Sequence, residues 1–146
     1  MFSFVPISYI EVVISKRVLL AVSNPTYREA LADILTRMMG IRLVGKVGNG
    51  WEVVQLSARL KPDIILIDFN LTGLNGIEAA RAIKRQSSYV SIILLVDEDN
   101  EQCSDTLVNC EEWTCLTKER VVDELQELLE KIQQPTLGEN NCAASR

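Results

Sequence analysis

The stretch Lys61 to Lys84, KPDIILIDFNLTGLNGIEAARAIK, constrains the fold more than any other part of the chain. Lys61-Pro62-Asp63 leads into an uninterrupted apolar run, Ile64 to Ile67, too short for a core helix and rich in β-branched residues. Such a run reads as a strand buried on both faces. At its carboxyl end it delivers one carboxylate, Asp68. A loop punctuated by Gly73 and Gly76 follows, and then a helix whose Ile77, Ala80, Ala82 and Ile83 suit packing on a sheet. Open α/β sheets place their ligand chemistry at the C-terminal tips of central parallel strands. On this stretch alone, Asp68 is either such a site acid or a loop or capping aspartate.

The rest of the chain repeats the strand-then-helix rhythm. Arg17 to Val22, RVLLAV, is a first buried strand, ended by Ser23-Asn24-Pro25, which offers two N-cap residues and a proline suited to a helix start. Leu31, Ile34, Leu35 and Met38 then mark one apolar helix face, closed by Gly40. Ile41 to Val47 is a second strand. Gly48-Asn49-Gly50 is a turn, and its spacing matches neither the dinucleotide-binding nor the P-loop glycine pattern. Trp51, Val54 and Ala58 are read as one face of the next helix, which runs to Leu60. Ser91 to Val96, SIILLV, is a fourth strand; a poorly patterned helix is expected from about Glu101 to Asn109. Trp113 to Thr117 is a short fifth strand ending at Lys118. Val121, Leu125, Leu128, Leu129 and Ile132 make the last helix strongly amphipathic. The expected organisation is an extension over residues 1–16, a domain over 17–133 and a flexible tail over 134–146.

Five strands alternating with five helices imply a parallel sheet covered on both faces. With right-handed crossovers, this is a doubly wound α/β sandwich of strand order 2-1-3-4-5, whose switch point lies between strands one and three. Asp68 then sits at that crevice, with Ser23 beside it and Lys118 across from it.

Composition narrows the function classes. The 146 residues carry a net charge of −5 with acids and bases interspersed, and no basic block exists to track a phosphate backbone. Direct nucleic-acid binding by this chain is not expected. No window has the apolar length of a membrane span, and the N-terminal MFSFVPISYIEVVISK lacks the basic region and cleavage site of a signal peptide. A cytoplasmic protein is expected. Cys103, Cys110, Cys115 and Cys142 form no CxxC pair, and the absence of histidine rules out a mixed Cys/His zinc site.

The segments RVLLA, NPTYREAL, VGNGWEVVQLSARLKPDIILIDFNLTGLNGIEAARAIK and LTKE together resemble the receiver domain of two-component response regulators. The likeness runs from Arg17 to about Ile132 and is strongest to receivers with a C-terminal helix-turn-helix output. PTLGENN, near the C-terminus, resembles an interdomain linker. The resemblance implies a CheY-like, flavodoxin-like fold, with Asp68 at the phospho-acceptor position and Lys118 at that of the phosphate-contacting lysine. It also exposes departures. The two acids that hold Mg²⁺ at the end of strand one are replaced by Val22 and Ser23. The switch hydroxyl of strand four is Val96, and the switch aromatic of strand five is Cys115. Thr72 replaces a proline after the acceptor, and Glu111-Glu112 replaces a small-residue turn.

Phosphoryl transfer depends on positioning and on neutralising charge over the transferring oxygens, much of which the metal supplies. Mg²⁺ is usually held by carboxylates, and here the remaining candidates are Asp68, Asn70 and Asp97. No cofactor is expected, and any Mg²⁺ binding should be weak. Asp97 has three readings: a solvated loop acid, a substitute cation ligand, or a contact to Lys118 that imitates a bound phosphoryl group. In the family, the face formed by the fourth helix, fifth strand and fifth helix is used for partner contact and dimerisation. The acids at 97–101 and 111–112 would make it negative and suited to a basic partner surface. A degenerate, non-enzymatic receiver acting through protein contacts is therefore the leading expectation. A working receiver accepting phosphate on Asp68 from a histidine kinase is the alternative. An unrelated ligand binder of the same architecture is a third class.

Overall fold

The computed structural model describes residues 15–97 and 113–133. Its strands are β1 Lys16–Ala21, β2 Ile41–Val47, β3 Ile64–Asp68, β4 Ser91–Val96 and β5 Trp113–Thr117. The helices are α1 Pro25–Arg37, α2 Gly50–Leu60, α3 Gly76–Gln86 and α4 Val121–Gln133. The strands form one parallel sheet in the order β2-β1-β3-β4-β5, as the alternation of elements predicts. The helix expected near Glu101 to Asn109 lies outside the described residues, as do Cys103, Cys110, Cys142, Glu111 and Glu112. The described part of the chain likewise leaves out almost all of the expected N-terminal extension and the whole tail.

Period-two alternation builds two apolar layers from each strand. In β3, Ile64 and Leu66 join Leu31 and Leu35 of α1 and Val121 and Leu125 of α4. Ile65 and Ile67 join Val53 of α2 and Ala79, Ala80 and Ile83 of α3 on the opposite face. The four apolar β3 side chains, Ile64 to Ile67, are fully buried, each stabilising the fold by roughly 1.5–3 kcal/mol. This is why the strand reads as an unbroken apolar run.

Three asparagines start the helices above the carboxyl edge of the sheet. The side chains of Asn24, Asn49 and Asn75 accept hydrogen bonds from the amides of Tyr27, Glu52 and Glu78. Glu78 returns the bond to the Asn75 amide, completing a capping box. Of the two caps offered at α1, Asn24 is the one used, which leaves the Ser23 hydroxyl for other work.

The apolar face of α2 differs from the expected one. Val53 and Ser57 are buried, Val54, Leu56 and Leu60 pack partly buried, and Ala58 is exposed. Trp51 is 61% exposed. At the start of this helix, Gly50 lies so close to Leu74 that even a Cβ would strike its carbonyl. Gly50, Val53 and Ser57 are the buried positions of the helix, and Trp51, about 100° round the axis from Gly50, falls off that stripe and lies against Gly73.

Candidate functional site

Asp68, Asp97 and Lys118 lie at the tips of β3, β4 and β5, and these tips are bound to one another. The Phe69 amide donates to the Leu95 carbonyl at 2.8 Å, and the Lys118 amide donates to the Val96 carbonyl at 2.8 Å. Asp68 is only 3% exposed. Its Oδ1 stands 2.9 Å from the Lys118 ammonium and accepts the Asn70 amide at 3.0 Å. A buried carboxylate requires such partners, since an isolated buried charge is very costly. Asp68 and Lys118, expected on opposite sides of the crevice, thus meet as an ion pair.

Asp97 joins the same constellation. Its Oδ1 is 3.4 Å from the Lys118 ammonium, and its Oδ2 accepts the Asn70 side-chain amide at 2.9 Å. The contact to Lys118, one of the three readings of this acid, is present. Burial pushes the Lys118 ammonium pKa down, but the hydrogen bond and charge of Asp68, with those of Asp97, outweigh it and set it above the ordinary lysine value.

Ser23, at the first of the crevice-side loops, is fully engaged. Its hydroxyl donates to the Gly48 carbonyl at 2.9 Å and accepts the Thr72 amide at 3.0 Å. One side chain thereby ties together the loops that follow β1, β2 and β3. The Thr72 carbonyl also accepts the Gly50 amide at 2.9 Å. Val22 is fully buried in the α1/α4 layer, and its carbonyl accepts from the Arg28 guanidinium at 2.7 Å.

These contacts make a poor donor set for Mg²⁺, which demands near-octahedral oxygen coordination. Val22 offers no side-chain oxygen. The Ser23 hydroxyl is spent on two backbone groups, and Asp68 and Asp97 share one ammonium. Among the described residues, no cluster of three or more acidic, cysteine or histidine side chains forms a metal cage. Val96 is buried with Ile92 and Leu94 in the α2/α3 layer, and Cys115 packs partly buried against that layer.

Sequence reasoning passed over Tyr27. Its amide is held by the Asn24 cap, its ring packs on the core, and its hydroxyl donates to the Lys118 carbonyl at 3.4 Å. Burial, then the negative charge of Asp68, Glu119 and Asp97, pushes this phenol up to about 12. Its place on the first turn after the β1 loop was the available signal, because that turn faces the crevice. The Gly48 carbonyl and the Thr72 amide were also passed over, and backbone groups give no sequence signal at all.

Ser23→Ala is expected to lower stability by about 1–2 kcal/mol, because it strands the Thr72 amide and removes a donor from Gly48. Ser23→Asp, which restores the acid of ordinary receivers, accepts from Thr72 but has no proton for the Gly48 carbonyl. Urea denaturation of both variants checks this, and an unchanged midpoint in Ser23→Ala would show that water replaces the tie.

Residues 18–130 match the family model described as the response regulator receiver domain. The transcriptional regulatory protein LiaR of Bacillus subtilis is 38% identical over 86 residues, 57% of this chain and 41% of LiaR. The nitrate/nitrite response regulator protein NarL of Escherichia coli is 27% identical over 122 residues, 84% of this chain and 55% of NarL. The chain therefore spans about half the length of these curated relatives. Among solved structures, the response regulator domain of Thermotoga maritima CheB superposes with a TM-score of 0.71 at 25% identity, covering 84% of this chain and 98% of that one. The strand order, the crevice at the tips of β1 and β3, and the match over residues 18–130 lead to one conclusion: the chain belongs to the response regulator receiver domain family.

Proposed function

We propose that this chain is an atypical receiver acting by protein–protein contact in signal transduction or transcriptional regulation, with Mg²⁺-dependent phosphorylation of Asp68 weak or absent. The observation that carries this reading is the state of the reaction centre. The Asp68 carboxylate is buried and already neutralised by Lys118 and the Asn70 amide. The Ser23 hydroxyl, at a metal-site position, is locked between Gly48 and Thr72. Without a well-held cation, charge on a transferring phosphoryl group is poorly stabilised. On this reading the chain is not an enzyme, needs no cofactor and works in the cytoplasm. Its domain spans residues 17–133.

The proposed contact surface is the face containing β5 and α4. There Val122 is 56% exposed between the exposed acids Glu119 and Asp123, a setting suited to a basic partner or to a second copy of the chain. Histidine kinases and regulatory proteins are the partner classes that a receiver implies. The intact Asp68–Lys118 pair at 2.9 Å favours a second reading, a working phospho-receiver that accepts phosphate from a histidine kinase on Asp68.

Intact-mass spectrometry after incubation with acetyl phosphate and Mg²⁺ separates the two, with Asp68→Ala as control. The expected result is no adduct under conditions that label an ordinary receiver. One added phosphoryl group, lost in the control, would establish the second reading.

A further inference from the structure

We propose that Asp97 acts as an internal clasp, an acidic side chain that holds the donors a phosphoryl oxygen would otherwise take and keeps the tips of β3, β4 and β5 joined without phosphorylation. This deepens the atypical-receiver reading, on which its regulatory meaning rests. Four groups close a ring. Lys118 bridges Asp68 at 2.9 Å and Asp97 at 3.4 Å. Asn70 bridges the same two acids, giving its backbone amide to Asp68 at 3.0 Å and its side-chain amide to Asp97 at 2.9 Å. Each donor residue thus serves both carboxylates, and each acid is held by both donors.

The strand geometry explains why residue 97 can do this. Val96 ends β4 with its side chain in the α2/α3 apolar layer. The following residue leaves the strand just beyond the Lys118–Val96 backbone bond, two positions past Leu95, the register partner of Asp68, and so reaches Asn70. An acid at this point reaches the crevice, whereas valine at 96 sends no hydroxyl there. The loss of a switch hydroxyl at one position is thus accompanied by an acid at the next. The Asp97 side chain is 40% exposed, against 20% for Lys118 and 4% for Asp68. Of the three charged members water competes most for Asp97, so it is the charged group that can swing out and open the ring.

Hydrogen–deuterium exchange of the full chain, comparing wild type with Asp97→Ala and Asp97→Asn, tests the clasp. In Asp97→Ala, exchange over residues 66–72, 92–97 and 115–120 should quicken at least about tenfold, while the distant ends of β1 and β2 keep the wild-type rate. Asp97→Asn keeps an acceptor for Asn70 without the charge on Lys118, and should fall between the two. Unchanged exchange at the three tips, or an equal rise throughout the domain, would overturn the clasp. A phosphoryl adduct on the same wild-type sample would overturn the weak-phosphorylation reading, while the exchange pattern would still decide the clasp.

Discussion

Replacing Lys118 with methionine is expected to destabilise the domain by about 3 kcal/mol, and adding Asp68→Asn should restore most of that loss. The wild-type pair is well made, with its ammonium 2.9 Å from a carboxylate whose side chain is only 4% exposed. Methionine keeps the apolar stem of the lysine, so packing changes little. What changes is that the buried Asp68 charge keeps the Asn70 amide as its donor in the ring, while Asp97 loses the cation that screened the two acids from each other. Removing one member of a buried pair costs far more than removing both, because the survivor is left uncompensated. A double-mutant cycle in urea isolates this coupling. A single-variant loss below about 1 kcal/mol, or no recovery in the double variant, would mean that water already screens Asp68.

The same pair fixes the pH at which the effect disappears. Lys118 titrates above its ordinary value in the folded chain. A raised folded-state value stabilises fully below the unfolded lysine value and is lost as the pH rises through the folded one. The gap between wild type and Lys118→Met should therefore hold from neutral pH to about 10 and shrink only beyond that.

The sheet was legible because its central strands are apolar at every position: Ile64 to Ile67 and Ile92 to Val96 are buried whichever layer they face. That same uniformity hides which residue faces which helix. That Asp68 and Lys118 come together was legible because they lie at the carboxyl tips of strands whose order follows from the element rhythm. The Ser23 tie was not, since its partners are a carbonyl and an amide, which every residue carries. The face of α2 was misread for a related reason. Apolar character counts Trp51 as a core residue, but the buried stripe runs through Gly50, Val53 and Ser57, with Gly50 against Leu74, a contact distant in sequence. Gly73 and Gly76 were legible as punctuation, yet they do different things. Gly73 has φ +79°, where glycine is favoured, whereas Gly76 is a close-approach glycine that no turn rule identifies.

Gly76→Ala is accordingly expected to damage both the fold and the site. A Cβ at Gly76 would stand 2.5 Å from the Asp68 carbonyl oxygen and 2.8 Å from the Cα of Phe69, both rigid backbone atoms. The Gly76 amide also donates to the Phe69 carbonyl at 2.9 Å, so α3 is hydrogen-bonded at the very point where the methyl would push it away. Relief requires moving either the start of α3 or the tip of β3. The second course shifts Asp68 against Lys118. Overpacking of this kind costs on the order of 3 kcal/mol, against the roughly 0.5–1 kcal/mol that alanine ordinarily gains over glycine in a helix. Gly45→Ala is the matched control. Its Cβ would meet only the ends of flexible side chains, the nearest being Leu19 at 3.1 Å, and should cost under about 1 kcal/mol. Thermal unfolding of the two variants decides the matter, and equal midpoints would show that the β3 tip yields freely. If it does not, the start of α3 holds Asp68 in place as firmly as Lys118 does, and the buried state of Asp68 is set by helix docking as well as by charge.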